Sequence, residues 1–186
     1  NGRRKDAHFA FLNQQLLSRG WEQKASFVIN DDTNLMENIF NLIKSDSNSV
    51  MFCFGGIGAT PDDYTREVAG KVFTSGAMEF HEEAKNRIIN QFGDESYPHR
   101  INMAYLPINA KLLKNVVNNV AGFYLEDRFF FTPGFPSMSQ AMVIEALDKL
   151  YPKSNIEKYR KVMTINASEN DLIDTMQKIP ENIDLS

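Results

Sequence analysis

At 186 residues the chain is long enough for one full domain with a small appendage, and 14 Phe within an ordinary apolar content supply bulky core material. A net charge of −4 without any Lys/Arg block gives no nucleic-acid footprint; no apolar stretch approaches the about 18 residues of a membrane span, and the opening NGRRKDAHF lacks the apolar core of a signal peptide. The one cysteine, Cys53, excludes a disulfide framework and makes a reducing cytoplasm the default location.

In chain order, Asp6 is placed to cap a helix whose apolar face runs Phe9, Leu12, Leu16 and which ends at Gly20. Residues 21–29 mix aromatic and β-branched side chains, as a strand does. Asp31, Asp32 and Thr33 offer caps for a second helix through Leu35, Ile39, Leu42 and Ile43, which the polar cluster at 45–49 closes. Residues 50–54 are an unbroken apolar run without period-two alternation, the pattern of a strand covered on both faces. Cys53, inside that run, reads as core rather than as a nucleophile.

The stretch 50–67, VMFCFGGIGATPDDYTRE, carries the chemistry. Gly55, Gly56 and Gly58 let the backbone take φ > 0 and approach a ligand closely. Thr60-Pro61-Asp62-Asp63 has the grammar of a helix N-terminus: Thr60 as N-cap, Pro61 at the first position and Asp63 closing a capping box. Capping explains one aspartate but not two directly after three glycines. Loop and helix-end amides attract anions, whereas paired carboxylates repel them unless a divalent cation lies between, so the stretch predicts a phosphate-bearing ligand held with Mg²⁺ or a similar ion. Neither the Lys-Ser/Thr ending of a P-loop nor the GxGxxG spacing of a Rossmann turn is present. Arg66 either reaches phosphate or pairs with Asp62 or Asp63.

The helix from Pro61 is expected to run to about residue 73, and another over 79–92 has Phe80, Ala84, Ile88 and Phe92 at helical spacing. Residues 93–102 are polar and irregular; His99 among them is the histidine worth testing, while His8 reads as surface or packing and His81 as solvated. A turn and short strand end at Asn115, and two apolar runs flank Asp127 as a β-hairpin. Pro133-Gly134-Phe135-Pro136 is a rigid turn ahead of a helix over 137–150 with Met138, Met142, Ile144 and Leu147 as its apolar positions. Beyond residue 152, a strand over 159–166 and a helix to about 179, with Ser168 and Asp171 as its capping box, form a unit too small for its own core, which must dock elsewhere. The alternating order predicts an α/β domain with a parallel sheet.

The run from Gly55 to Glu67 resembles the signature GG-x-G-x-T-x-DD-x-T-R-E of the molybdopterin-binding domain family, in the branch containing the N-terminal domain of CinA (competence/damage-inducible) proteins and the equivalent domain of eukaryotic FAD synthases. Gly2-Arg3 with Asp6 is similar to its G-R-x-x-D, Leu106-Pro107 through Asn115 to its P-x-x-A-x-x-x-x-N segment, and Pro133-Gly134-Phe135-Pro136 to its P-G-x-P turn. The resemblance implies a three-layer α/β/α sandwich with a mostly parallel sheet over residues 1–152, and a partial C-terminal α+β extension over 153–186. It places the family's first strand and the acidic residue after it ahead of residue 1. It implies a pterin or nucleotide ligand, homo-oligomers, and activities that include molybdopterin adenylyltransferases and metal-dependent pyrophosphatases acting on ADP-ribose. Carried over, Asp62 and Asp63 handle the metal, Mg²⁺ or alternatively Co²⁺ or Mn²⁺, and Gly55, Gly56, Gly58 and Thr60 the phosphates. Asp6 sits across the site as a catalytic carboxylate beside Asp62 and Asp63, Asn115 shapes the floor, and Gly134 with Pro136 forms the rim. Met138 stands where many relatives carry a glutamate, and Asn118 lies where many have a glycine-containing segment. Two function classes follow: a metal-dependent hydrolase or transferase of nucleotide-type phosphoanhydrides, and a non-catalytic pterin- or nucleotide-binding protein. An assembly role is a third.

Overall fold

A computed structural model describes residues 6–152, 161–180 and 183, and the chain divides into two units, Asn1–Asn155 and Ile156–Ser186. The first contains α1 (His8–Leu17), α2 (Thr33–Ser45), β1 (Met51–Phe54), α3 (Thr65–Phe73), β2 (Met78–Phe80), α4 (Glu82–Phe92), β3 (Tyr105–Pro107), β4 (Lys111–Leu113), β5 (Gly122–Leu125), β6 (Phe129–Thr132) and α5 (Pro136–Leu150), with 3-10 turns at Gly93–Ser96 and Arg100–Ala104. The second contains α6 (Glu169–Met176).

The main sheet has the order β1-β6-β5-β4, and β2 pairs with β3 in a separate two-stranded sheet. The architecture is α/β, but the sheet is mixed rather than mostly parallel: β1 runs parallel to β6, while β5 is antiparallel to both β6 and β4. The cause is local. Glu126 and Asp127 take φ of 53° and 54°, a tight turn that folds β5 back on β6, and the link from β4 to β5 is too short for a crossover helix.

Side-chain alternation along the strands makes three layers. Phe129, Phe131, Phe123 and Leu125 face α2 and α3, burying against Met36, Phe40, Val68, Val72 and Phe73. Phe130 and Tyr124 face the other way onto Met142 and Ala146 of α5, and α1 completes that layer through Leu12 and Leu16 against Val143 and Leu147. The phenylalanines stack across strands in two ladders, Phe123 on Phe131 at 4.6 Å and Phe52 on Phe130 at 4.8 Å between centroids. Cys53 keeps some accessible surface as a residue, yet its thiol is enclosed by protein, and burial pushes it up to about 12, the state of an inert core thiol.

Several expected elements differ. Residues 21–30 form no strand: Val28 is 91% exposed and Phe27 also faces solvent, so the alternation meets no sheet, while Trp21 packs edge-on to Tyr151 and Ile29 packs against the core. In α1 the buried residues are Leu12 and Leu16, and Phe9 is exposed. In α2, which Asp32 caps by accepting from the amides of Asn34 and Leu35, the buried face is Met36, Phe40 and Ile43; Leu35 and Leu42 are exposed. Phe40 sets that register by meeting Phe73 and Phe131. The helix expected from 79 begins at Glu82, because Met78–Phe80 pairs with Tyr105–Pro107 and His81 becomes its N-cap, Nδ1 accepting from Ala84 N. In α5, Met142 and Leu147 are buried, and Ile144 is not.

In the second unit, residues 161–165 carry no strand, and 159 and 160 lie outside the described residues. Asp171 Oδ2 accepts from both Ser168 N and Ser168 Oγ at the start of α6, which ends at Met176, short of residue 179. Among the described residues no helix is long and apolar enough to cross a membrane.

Candidate functional site

Because β4 and β6 both run parallel to β1, the segments leaving all three strands open on one edge of the sheet. Those segments are the glycine loop after Phe54, the turn after Thr132 and the loop after Leu113. Ligands of open α/β sheets characteristically lie outside the carboxyl ends of strands.

The glycine loop is shaped by what its carbonyls do. Gly55 (φ +100°) still bonds the neighbouring strand, N to Thr132 O at 2.8 Å, and Gly56 (φ +69°) turns the chain away. Thr65 Oγ1 then donates to Gly55 O and Thr65 N to Gly56 O, each at 3.0 Å, while Arg66 Nη2 donates to Gly58 O at 2.7 Å. So the carbonyls of Gly55, Gly56 and Gly58 are all tied back to the start of α3. The amides of Gly56, Ile57, Gly58 and Ala59 are not: among the described residues these four consecutive N–H groups have no internal acceptor. Ile57 is itself buried. Successive unspent amides beside a helix start are the elements of an anion cradle.

Thr60 does not cap α3, which begins at Thr65. The Thr60–Asp63 pair instead closes a turn ahead of the helix: Asp63 Oδ2 accepts from Thr60 N at 2.8 Å and from Thr60 Oγ1, and Asp63 N donates back to Thr60 O. Pro61 therefore lies in this turn. The hydroxyl of Thr60 also lies beside Asp62, and it, then the Asp62 backbone amide, holds that carboxyl below the usual carboxylate range. One hydroxyl proton serves one acceptor at a time; the contact geometry assigns it to Asp63, leaving Asp62 exposed and ionised. Arg66 neither pairs with these carboxylates nor faces solvent. It is 8% exposed, donates to the carbonyls of Gly58, Asn102 and Tyr105, and its burial lowers its pKa, an effect that Asp63 and Glu67 oppose.

Across the cradle, Gly134 packs directly on Gly55; a Cβ built on Gly134 would lie 3.4 Å from Gly55 Cα. Pro136 is the first residue of α5 and fixes the exit of this turn. Asp6 accepts from His8 N at 2.8 Å and remains exposed. The residue it holds is the one the sequence does not single out. The His8 ring stacks on Phe54 at 4.3 Å, with Nε2 3.2 Å from Gly134 O and Nδ1 3.4 Å from Ser139 Oγ. Since a carbonyl only accepts, Nε2 carries the proton and Nδ1 accepts from Ser139. His8 thus joins α1, the end of β1 and the 133–136 turn, and brings Asp6 to the same edge. No local pattern announces this, because His8 and Gly134 are 126 residues apart. His99 is exposed and makes no such contact.

Asn115 is 7% exposed and fully committed. Its Nδ2 donates to Asn118 Oδ1 and Val120 O, each at 2.9 Å, and its Oδ1 accepts from the amides of Val117 and Asn118. It shapes the loop after β4, with both polar side-chain atoms spent on that loop. That loop, with Gln91 and Lys114, walls a cleft of about 370 Å³. A second cleft, of about 460 Å³, adjoins the cradle and is walled by Thr60, Asp63, Arg66 and Glu67 on one side and by Phe80, Asn102 and Tyr105 on the other.

Among the described residues no group of three or more His, Cys, Asp or Glu side chains is arranged to hold a metal by itself. The chain's own donors are the free Asp62 carboxylate and the Asp63 oxygen not engaged by Thr60. That set fits a Mg²⁺-type ion, which keeps waters and shares phosphate oxygens while taking one or two protein carboxylates.

Comparison with known proteins finds relatives by sequence and by fold. The profile of the family described as probable molybdopterin binding domain matches residues 1–152. A CinA-like protein of Geotalea uraniireducens is 32% identical over 150 residues, covering 76% of this chain and 35% of that protein. Another, of Syntrophotalea carbinolica, is 27% identical over 198 residues, covering 100% of this chain and 48% of that protein. The chain thus spans about a third to a half of the length of these curated relatives. The crystal structure of a CinA protein of unknown function from Thermoplasma acidophilum superposes with a TM-score of 0.69 at 26% identity, over 80% of this chain and 89% of that one.

Proposed function

The chain belongs to the molybdopterin-binding domain family, and from that premise we propose that it binds a phosphate-bearing pterin or nucleotide at residues 55–60 and acts on the phosphoanhydride of that ligand. The observation that carries the reading is the row of four unspent amides, Gly56 to Ala59, on a loop whose carbonyls are held away by Thr65 and Arg66. Such a row offers donors to phosphate oxygens without side-chain charge. Asp62 and the free oxygen of Asp63 would share a divalent cation with the phosphates; when bound, that ion supplies charge withdrawal from the phosphoryl group. Asp62 then fixes the position of the phosphates, and Gly134, tied by His8, sets how far the ligand enters over Gly55. Asp6, exposed on the same edge, is the carboxylate available to orient an attacking water or acceptor hydroxyl.

A second reading, binding without turnover, is favoured by one observation: an oxygen of Asp63 is already engaged by Thr60, which leaves a sparse donor set for the ion. Incubation of the protein with ADP-ribose, FAD and ATP, each with Mg²⁺, Mn²⁺ or Co²⁺, separates the two. Hydrolysis that Asp62→Asn loses while its thermal midpoint holds supports the first reading. Tight binding of any of these ligands without turnover supports the second, and neither binding nor turnover refutes both.

A further inference from the structure

Resting on the phosphate reading above, a positioning role follows from the carbonyls around the cradle. A carbonyl oxygen carries partial negative charge and repels a phosphate that it faces. Those of Gly55, Gly56 and Gly58 are drawn off by Thr65 and Arg66 of α3. The Gly134 carbonyl, on the backbone that packs across on Gly55, is held from α1 instead: among the described residues its one donor is His8 Nε2, at 3.2 Å. Gly134 O and the Phe135 N–H belong to one trans peptide unit and point in opposite directions. Fixing the oxygen toward α1 therefore turns the Phe135 N–H away from it. That N–H, like the N–H of Gly134, has no acceptor among the described residues.

Whether His8 can donate depends on its tautomer. Neutral imidazole carries one ring N–H, and what the other nitrogen meets decides which nitrogen bears it. Nδ1 meets the hydroxyl of Ser139, 131 residues away in the chain and 3.4 Å in space. Ser139 is fully buried, and among the described residues His8 is the only partner of its side chain. The stack on Phe54, at an interplanar angle of 19°, fixes the ring plane, and Phe54 is the residue directly before Gly55. The His8 backbone is held as well, its N–H donating to Asp6. Plane, tautomer and backbone are thus all constrained, for a ring whose one N–H serves a single carbonyl at the cradle. We infer that Ser139 and His8 form a positioning relay for the ligand's phosphates. Ser139 fixes the Nε2–H tautomer, Nε2–H holds the Gly134 carbonyl off the anion, and the Phe135 N–H so released joins the amides of residues 56–59 as a donor. Neither relay side chain touches the phosphate itself.

Calorimetric titration of the full chain with pyrophosphate and with ADP-ribose, both with Mg²⁺, tests the relay, alongside imidazole ¹⁵N spectra of the ligand-free protein and thermal melts of each variant. His8→Phe keeps an aromatic stack on Phe54 but loses the donor, and should weaken both ligands about tenfold with the melt little changed. His8→Gln, whose carboxamide nitrogen lies as many bonds from the backbone as Nε2, should restore affinity to within about twofold of the parent. Ser139→Ala should weaken binding about threefold by freeing the tautomer, and should do nothing further in the His8→Phe background, because it acts only through the imidazole. The parent spectrum should show the Nε2–H tautomer, and Ser139→Ala a mixture. An Nδ1–H tautomer in the parent, His8→Gln as weak as His8→Phe, or a Ser139→Ala effect that persists beside His8→Phe overturns the relay. A parent that binds both ligands and a His8→Phe protein that binds them equally well overturns the relay alone. A parent that binds neither refutes the phosphate reading, and the relay falls with it.

Discussion

Substituting Gly56 by alanine tests whether the loop is held from α3. The new Cβ would fall 2.2 Å from Thr65 Oγ1 and 3.1 Å from Thr65 Cβ, and the residue would be held at φ +69°. Thr65 is 2% exposed, so its hydroxyl can escape only by a χ1 rotation that abandons Gly55 O. The left-handed backbone costs about 1 kcal/mol and the lost, now unsatisfied, hydrogen bond about 2 kcal/mol, so the variant should be destabilised by about 3 kcal/mol. For a chain of this size that lowers the thermal midpoint by about 9 °C. Gly58→Ala is the control. Its Cβ meets Asp63 Oδ2 at 2.5 Å, the oxygen that accepts from Thr60, so relief breaks the Thr60–Asp63 turn and leaves the Thr65 bonds alone, for an expected loss of about 2 kcal/mol. Urea melts of both variants, of Thr65→Ala and of Gly56→Ala/Thr65→Ala provide the measurement. The double variant should lose clearly less than the two single losses combined, since the clash and the bond have one partner in common. A Gly56→Ala protein as stable as the parent, or strictly additive losses, would refute the idea that Thr65 clamps the loop.

Arg66→Lys keeps the charge but replaces a planar fork serving three carbonyls by a single ammonium, and should cost about 2–3 kcal/mol in urea melts, with ligand affinity falling alongside because Gly58 O is released. Asp46, bonded by the Ser49 hydroxyl, Lys24 and the Asn48 amide, is held far below its ordinary value. A depressed carboxyl stabilises the fold fully above its unfolded value and loses that contribution as pH falls through the acid range. Asp46→Asn should therefore flatten the stability loss between about pH 4 and about pH 2; an unchanged acid limb would show that this cluster does not drive acid unfolding.

What the sequence made legible was whatever local chemistry determines. The apolar runs at 50–54 and 129–132, the hairpin turn at Glu126–Asp127, the Asp32 cap and the Ser168–Asp171 pair need only neighbours within a few residues. The glycine loop was legible for the same reason. Errors arise where a distant partner decides. Residues 21–29 have strand composition, but no described strand lies beside them; Met78–Phe80 looks helical until Tyr105–Pro107 pairs with it. The α2 register follows Phe40 meeting Phe131, 91 positions on, and His8 becomes a site neighbour only because the 133–136 turn arrives beside it. The parallel-sheet expectation failed differently: alternating helices and strands imply crossovers only where connections are long enough, and the segments joining β4, β5 and β6 are not.

The residues of the 55–67 stretch divide by what their polar groups are already doing. Gly55, Gly56, Gly58, Thr60, Asp63, Thr65 and Arg66 use carbonyls, hydroxyls, a carboxylate oxygen and a guanidinium on one another. The amides of residues 56–59 have no acceptor among the described residues, and the Asp62 carboxyl, held below the usual range by the Thr60 hydroxyl and its own backbone amide, stays exposed. A group spent on the fold cannot also be spent on a ligand without breaking what positions it, so the chemistry falls to the second set. On the function proposed above, the donors for an anion and the exposed carboxylate for a cation both lie on the segment from Gly56 to Asp62, held in place by the first set. The adjacent aspartates of the signature are consequently not equivalent: Asp63 builds the turn that presents Asp62. Asp62→Asn should abolish cation-dependent binding in a protein of normal stability, while Asp63→Asn should show its first effect in the melt.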